Sequence, residues 1–308
     1  MTLISSLLFL MAPAQGVVAA QQNVLPKAPN ARLCRMPEGW DQVMAQDPRY
    51  IVFGELHGTE QGPEFIGNLA CALAAKGQRI LVAVEKSAAD DRELQTAWRL
   101  PADQFAGALS HIGWLGRDDG VASEAMFAML VRLHGLKESG LPIGVVAFNG
   151  VKDEDQAKRF ADLPGQGPHE AAQAENIAQA ARLANYDRTL VLVGNFHARK
   201  DSIEWRGVQF DPMAKRLARH GKTVTLNMLY AAGSNWSCVL KPGAKVEPNR
   251  PITADLLDCG NHLTKGSPDL GRAPFIELDP ARSGSTGDYD GFFWVGPISG
   301  SAPFAPDR

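Results

Sequence analysis

The chain has 308 residues, 45% of them hydrophobic and 21% charged, the balance of a globular protein with a full core in one large α/β domain or two small ones. Lys and Arg total 31 against 34 Asp and Glu, a net charge of −3 with no cationic run, which excludes nucleic acid and anionic lipid as electrostatic partners.

The first stretch, MTLISSLLFLMAPAQGVVAA, is apolar, uncharged and closed by small residues. Val18-Ala19-Ala20 fits a small-x-small cleavage site, so residues 1–20 read as a signal peptide without a basic start, and the mature chain opens near Gln21. Pro13, Gln15 and Gly16 interrupt the run before it could span a bilayer, and no later segment is long and apolar enough. The expected location is periplasmic or secreted, with no transmembrane segment after signal removal. Cys34, Cys71, Cys238 and Cys259 suit an oxidising compartment. Of the three pairings four cysteines allow, Cys34–Cys71 and Cys238–Cys259 are favoured because each would tie down an irregular segment.

Residues 21–48 are rich in Pro and Asn and lead into the domain. RYIVFGE is a short strand. PEFIGNLACALAAKG places Phe65, Ile66, Leu69 and Leu73 on one helical face and stops at Gly77. RILVAVEK is a second strand, and AADDRELQTAWRL is helical up to Pro101. The next helix starts at an N-cap, Ser123, and buries Met126, Phe127, Leu130 and Leu133. Then come strand PIGVVAFN, helix EAAQAENIAQAARLANY, strand RTLVLVGNFH, helix DPMAKRLARHG and strand KTVTLNMLY. The strands are continuous apolar runs, the mark of strands covered on both faces. The expected fold is α/β: a mainly parallel central sheet flanked by helices, over residues 21–233, with a β-rich extension, 234–308, packed on the same domain.

In a parallel sheet every strand exits toward one edge, and ligands bind there. That edge would gather Glu55 and His57 from GELHG, Glu85 from AVEK, Asn149 from AFNG, Asn195 and His197 from GNFHA, and Asn227. Two carboxylates and two imidazoles suit general acid–base chemistry or a divalent metal, with Glu55, His57 and His197 as the ligand set. A single such residue is ordinarily solvated or structural; two apolar runs that each pass through a glycine to a histidine make a site the better reading. Gly54 and Gly194 leave room where something approaches the backbone. The loop HIGWLGRDDG supplies His111, Trp114 and Arg117 as substrate-binding candidates, joined by Asn149 and Asn195. His134 and His220 read as solvent-facing helix residues, and His169 and His262 as loop residues without partners. No GxSxG, GxxxxGK[ST], HExxH or GxGxxG is present.

Together GELHGTE, AVEK, HIGW and GNFHA resemble the ordered motifs of the superfamily that joins ChaN-like haem-binding lipoproteins, erythromycin-esterase-like proteins and TIKI-type proteases, over residues 50–230. The resemblance implies an α/β fold with its site at the strand ends. It also implies one of three activities: hydrolysis by the first histidine and the glutamates, metal-dependent proteolysis, or haem binding. Two readings follow. In the first, an exported hydrolase acts on a small-molecule or peptide substrate: His57 or Glu85 is the base, Glu55 orients the imidazole, and His197 completes a metal site or faces the oxyanion. In the second, a non-catalytic protein binds haem or iron, with Tyr230 or Tyr289 as axial ligand and Trp114, Phe292, Phe293 and Trp294 as slot walls.

Overall fold

A computed structural model describes residues 34–114, 120–244, 252–282 and 287–305. The signal-peptide reading and Arg117 lie outside the described residues.

Among the described residues nineteen α-helices and β-strands follow in order. They are α1 (Trp40–Ala45), β1 (Tyr50–Glu55), α2 (Gln61–Ala75), β2 (Ile80–Ser87), α3 (Asp91–Ala97), α4 (Ala102–Ser110), α5 (Glu124–Glu138), β3 (Ile143–Asn149), α6 (Glu154–Phe160) and α7 (Gly167–Leu183). The second half holds β4 (Arg188–Gly194), β5 (Ile203–Trp205), β6 (Val208–Phe210), α8 (Met213–Leu217), β7 (Thr223–Ala231), β8 (Gly233–Leu240), β9 (Leu257–Thr264), β10 (Phe275–Glu277) and β11 (Gly291–Pro297).

Seven strands form one sheet in the order β10-β11-β7-β1-β4-β2-β3. Every pairing in it is parallel except β10 with β11. The fold is therefore α/β, as the unbroken apolar strands implied. The C-terminal extension contributes two strands of its own, with β11 laid parallel along β7. The β8–β9 pair forms a separate antiparallel ribbon.

Alternation along the strands sends successive side chains to opposite faces. Ile51, Phe53, Val82, Val84, Leu190 and Leu192 pack with α2 and α5 residues such as Ile66, Leu69 and Leu130. Val52, Leu81, Ala83, Val191 and Val193 pack with Ile177, Ala178, Met213 and Leu217 from α7 and α8. Ser123 caps α5 by accepting the Met126 N–H at 3.3 Å, which satisfies one of the helix's orphan donors.

Disulfides join Cys34 to Cys71 and Cys238 to Cys259. The first staples the segment before α1 to α2; the second staples β8 to β9, where the two residues stand directly opposite in the ladder.

Some expectations are corrected. His134 does not face solvent: it is 1% exposed, stacked on Phe105 with ring centroids 3.9 Å apart and edge-on to Trp98. α4 had no strong pattern in sequence, and its packing on α5 covers that histidine. The proposed haem-slot walls Trp114, Phe292, Phe293 and Trp294 are all core, none more than 1% exposed. Phe293 lies edge-on to Phe53, and Trp114 lies edge-on to Phe127 and Phe304.

Candidate active site

Glu55 ends β1 and stands beside Gly194, which ends β4. It continues the set Ile51 and Phe53 that faces α2. Its carboxylate fits against Gly62 in the first turn of that helix, where a Cβ would lie 2.2 Å from Oε2. Glu85 belongs to the other face, in line with Leu81 and Ala83. The β2–β3 register gains one residue on β2 between Val84 and Ser87, and this bulge re-aims the strand where Glu85 and Lys86 sit.

The two carboxylates come from opposite faces of the sheet and meet above its edge, where His57 spans them. His57 Nδ1 donates to Glu55 Oε1 at 3.0 Å, and Nε2 lies 3.3 Å from Glu85 Oε2. The contact passes over β4, the strand between β1 and β2. It is possible because Gly194 has no side chain: a Cβ there would stand 2.6 Å from His57 Nε2. The Gly194 N–H also donates to Glu85 Oε2 at 2.7 Å.

Glu85 Oε1 faces His197 Nε2 at 3.9 Å, too far for a direct hydrogen bond. His197 Nδ1 donates to Glu170 Oε1 at 2.7 Å, and Glu170 Oε2 accepts the Met213 N–H at 2.7 Å. Glu170 is fully buried in the first turn of α7. The result is a chain of alternating acids and bases, Glu55–His57–Glu85–His197–Glu170. Sequence reading missed Glu170. Its signal was a carboxylate on the apolar stripe of α7, in register with Ala174 and Ile177, where a buried charge needs a partner.

Charge follows geometry. Burial disfavours the charged imidazole of His57, but the Glu85 charge and the hydrogen bonds to Glu55 and Glu85 hold it well above the ordinary imidazole range. Burial pushes Glu85 up, yet the His57 charge and hydrogen bond, with His197 and the Gly194 N–H, bring it down to about 2. Burial keeps Glu55 above the usual carboxylate range despite its bond to His57. Burial lowers His197, but the hydrogen bond to Glu170 and the charges of Glu85 and Glu170 raise it on balance.

The other expected residues fall into two groups. Asn149 is near the cluster: its Oδ1 accepts from Gln173, which also donates to His169 Nε2. His169 is not a loop residue without a partner; it sits on α7 with its ring 5.8 Å from that of His197. Asn195 follows Gly194 with its side chain exposed, its N–H bound to the Glu55 carbonyl and its carbonyl to the Tyr289 hydroxyl. His111 is exposed at the end of α4. Trp114 is buried, donates to the Leu109 carbonyl and carries the Lys86 ammonium over its ring at 3.6 Å. Its ring packs in the core against Phe127 and Phe304. Asn227 lies inside β7 rather than at its end.

Of the set Glu55, His57 and His197, the first two bond to each other and Glu85 stands between the two histidines. Among the described residues no three His, Cys, Asp or Glu side chains are grouped to hold a metal ion. His57 and the Nδ1 of His197 already point at carboxylates.

The loop carrying His57 is held from outside the sheet. Trp236 N–H donates to the Gly58 carbonyl at 2.8 Å, and Asn235 Nδ2 donates to the His57 carbonyl at 3.3 Å. Gly58, at φ 74°, lies so close to β8 that a Cβ would meet the Trp236 carbonyl oxygen at 2.0 Å.

No protein-family model matches the sequence, and no curated protein sequence matches it. Solved structures do share its fold. A succinoglycan biosynthesis protein aligns with a TM-score of 0.56 at 10% identity over 86% of this chain and 92% of its own. A Bacillus cereus protein aligns at 0.53 with 11% identity over 87% and 93%. An erythromycin esterase mutant in its open conformation aligns at 0.51 with 11% identity over 87% and 95%. The chain thus has the fold that the motif order implied, over most of its length.

Proposed function

We propose that the protein is an exported hydrolase of the erythromycin-esterase-like type, cleaving carboxylic esters with a water activated at the strand-end cluster. One observation carries this reading. His197 is fixed at Nδ1 by the buried Glu170 while its Nε2 faces Glu85 across 3.9 Å. A buried carboxylate that holds one imidazole nitrogen leaves the other in the right tautomer to take a proton. Two polar atoms at that spacing can both hydrogen-bond one water oxygen.

His197 is then the general base. The water oxygen bonds to the ester carbonyl carbon while its proton passes to His197 Nε2. The carbonyl electron pair moves onto its oxygen, which is stabilised by the His57 imidazolium. Collapse of this intermediate breaks the bond to the leaving oxygen, and that oxygen takes the proton back from His197. Acid and alcohol depart and the cluster is restored. His57 has both nitrogens committed to carboxylates, which suits a fixed positive charge better than a base. In this proposal the two histidines exchange the roles that the sequence reading gave them.

The test is hydrolysis of a panel of uncharged esters by wild type, His197→Ala and Glu170→Gln, with folding checked by circular dichroism. Loss of turnover in His197→Ala and a large fall in Glu170→Gln are expected. Wild-type turnover in His197→Ala, or no turnover of any ester by the wild type, overturns the reading. Two disulfides support export to an oxidising compartment. Fractionation of the producing cell checks it, and recovery in the cytosol with free thiols would count against it.

A further inference from the structure

A line of aromatic rings leads from the cluster to the surface. The Phe196 ring packs edge-on against His197 with centroids 5.6 Å apart, and Trp205 packs edge-on against Phe196 at 5.0 Å. Phe210 supports Phe196 from behind at 6.0 Å. Trp205 belongs to the β5–β6 hairpin, whose tip is Arg206-Gly207 with φ 54° and 77°. Two successive positive φ values are those of a type I′ turn, which fits the twist of a two-residue hairpin and holds it rigidly.

One face of this hairpin is apolar from root to tip. Ile203 pairs with Phe210 and Trp205 pairs with Val208. The root pair is buried, at 6% and 4% exposure, while Trp205 and Val208 at the tip are 42% and 38% exposed. Scattered apolar side chains on a surface are ordinary. This pair is different because it continues, ring against ring, into the histidine proposed as the base.

Arg206 at the hairpin tip is exposed, while the two cations that follow His197 and Ala198 in the chain are each held by a carboxylate. Arg199, beside Phe196, is tied to Asp288 at 3.5 Å, and Lys200 is tied to Asp290 at 3.1 Å. The cluster itself holds three carboxylates, Glu55, Glu85 and Glu170.

We propose that Phe196 and Trp205 form a binding ledge for a flat, uncharged apolar group next to the scissile bond, so that the substrate class is a neutral ester with an aromatic moiety. The assignment rests on the hydrolase reading. Flat rings stack on exposed tryptophan, and a carboxylate-lined site repels anionic esters.

The experiment compares wild type, Trp205→Ala and Trp205→Phe on 2-naphthyl acetate and on ethyl acetate. It also measures equilibrium binding of 2-acetylnaphthalene, a ketone that cannot be hydrolysed. Trp205→Ala should raise KM for the naphthyl ester about tenfold with kcat little changed, and weaken the ketone by a similar factor, the loss of one stacking contact. Ethyl acetate should be unaffected, and Trp205→Phe should restore most of the loss. An equal effect on both esters, or ketone binding untouched by Trp205→Ala, overturns the ledge. Turnover that is normal in all variants overturns the ledge and leaves the hydrolase reading standing. Ketone binding that depends on Trp205 in a protein that hydrolyses no ester supports the ledge and overturns the hydrolase reading.

Discussion

Gly194 lies under the imidazole of His57, and a Cβ built on it would stand 2.6 Å from Nε2. β4 is a central strand paired on both sides, so its backbone cannot step away from the added atom. Gly194→Ala should therefore displace His57 and break its bridge between Glu55 and Glu85. A misplacement on the order of 1 Å costs about 10²-fold in rate. We expect a fall in kcat/KM of that size, and the crowding should cost about 1–3 kcal/mol in stability. Steady-state kinetics and urea unfolding check both, and an unchanged kcat/KM would remove His57 from the mechanism.

The rate should depend on pH through two histidines. His197 must be neutral to accept a proton, and its burial is outweighed by the hydrogen bond and charge of Glu170 and the charge of Glu85, which raise it. Activity should thus rise with pH through a value above 6.5. It should fall again when His57, held well above the ordinary imidazole range, loses its proton. Glu170→Gln removes the partner that raises His197, so the rising limb should move to lower pH while the falling limb stays. A pH–rate profile in which Glu170→Gln lowers kcat without moving that limb would count against His197 as the base.

Stability should carry the signature of the same cluster. Glu85 falls from an ordinary value of 4.5 to about 2 in the folded protein, so its contribution is present above pH 4.5 and lost as pH drops toward 2. His57 is raised above 6.5, so its contribution is complete below that pH and lost as pH climbs through the folded value. Glu85→Gln keeps the shape of the side chain but removes both dependences in large part. Urea midpoints measured from pH 2 to 10 should give a flatter curve for the variant, and two parallel curves would contradict the coupling.

The ribbon of β8 and β9 should matter to activity although it lies outside the sheet. Its backbone holds Gly58 and its Asn235 holds the His57 carbonyl. The Cys238–Cys259 bridge closes a separation of 21 residues, for which chain entropy gives roughly 3 kcal/mol. Replacing both cysteines by serine should lower stability by up to that amount and reduce kcat more than it changes KM. Denaturant titration and kinetics on the double variant decide this; unchanged kcat would make the ribbon a passive appendage.

The sequence by itself determined the sheet and its edge. Strands such as Tyr50–Glu55 and Arg188–Gly194 are apolar at nearly every position, a pattern that fits only burial on both faces. Parallel strands share one exit, so Glu55, His57, Glu85 and His197 could be placed near one another from their positions in the chain. The helical spacing of Phe65, Ile66, Leu69 and Leu73 likewise fixed the buried face of α2, because helical period is local.

Tertiary structure decided what local period does not encode. Strand order put β4 between β1 and β2, and only that order makes Gly194 the floor on which His57 and Glu85 meet. Glu170 became the partner of His197 because α7 crosses the strand ends, a contact 27 residues apart in sequence. His134 read as solvent-facing and Trp114 as a substrate-binding candidate, yet Phe105 and Trp98 cover the first, and Phe127 and Phe304 pack against the second. Which side chains touch is set by how elements pack across the fold, and that packing depends on residues far apart in the chain.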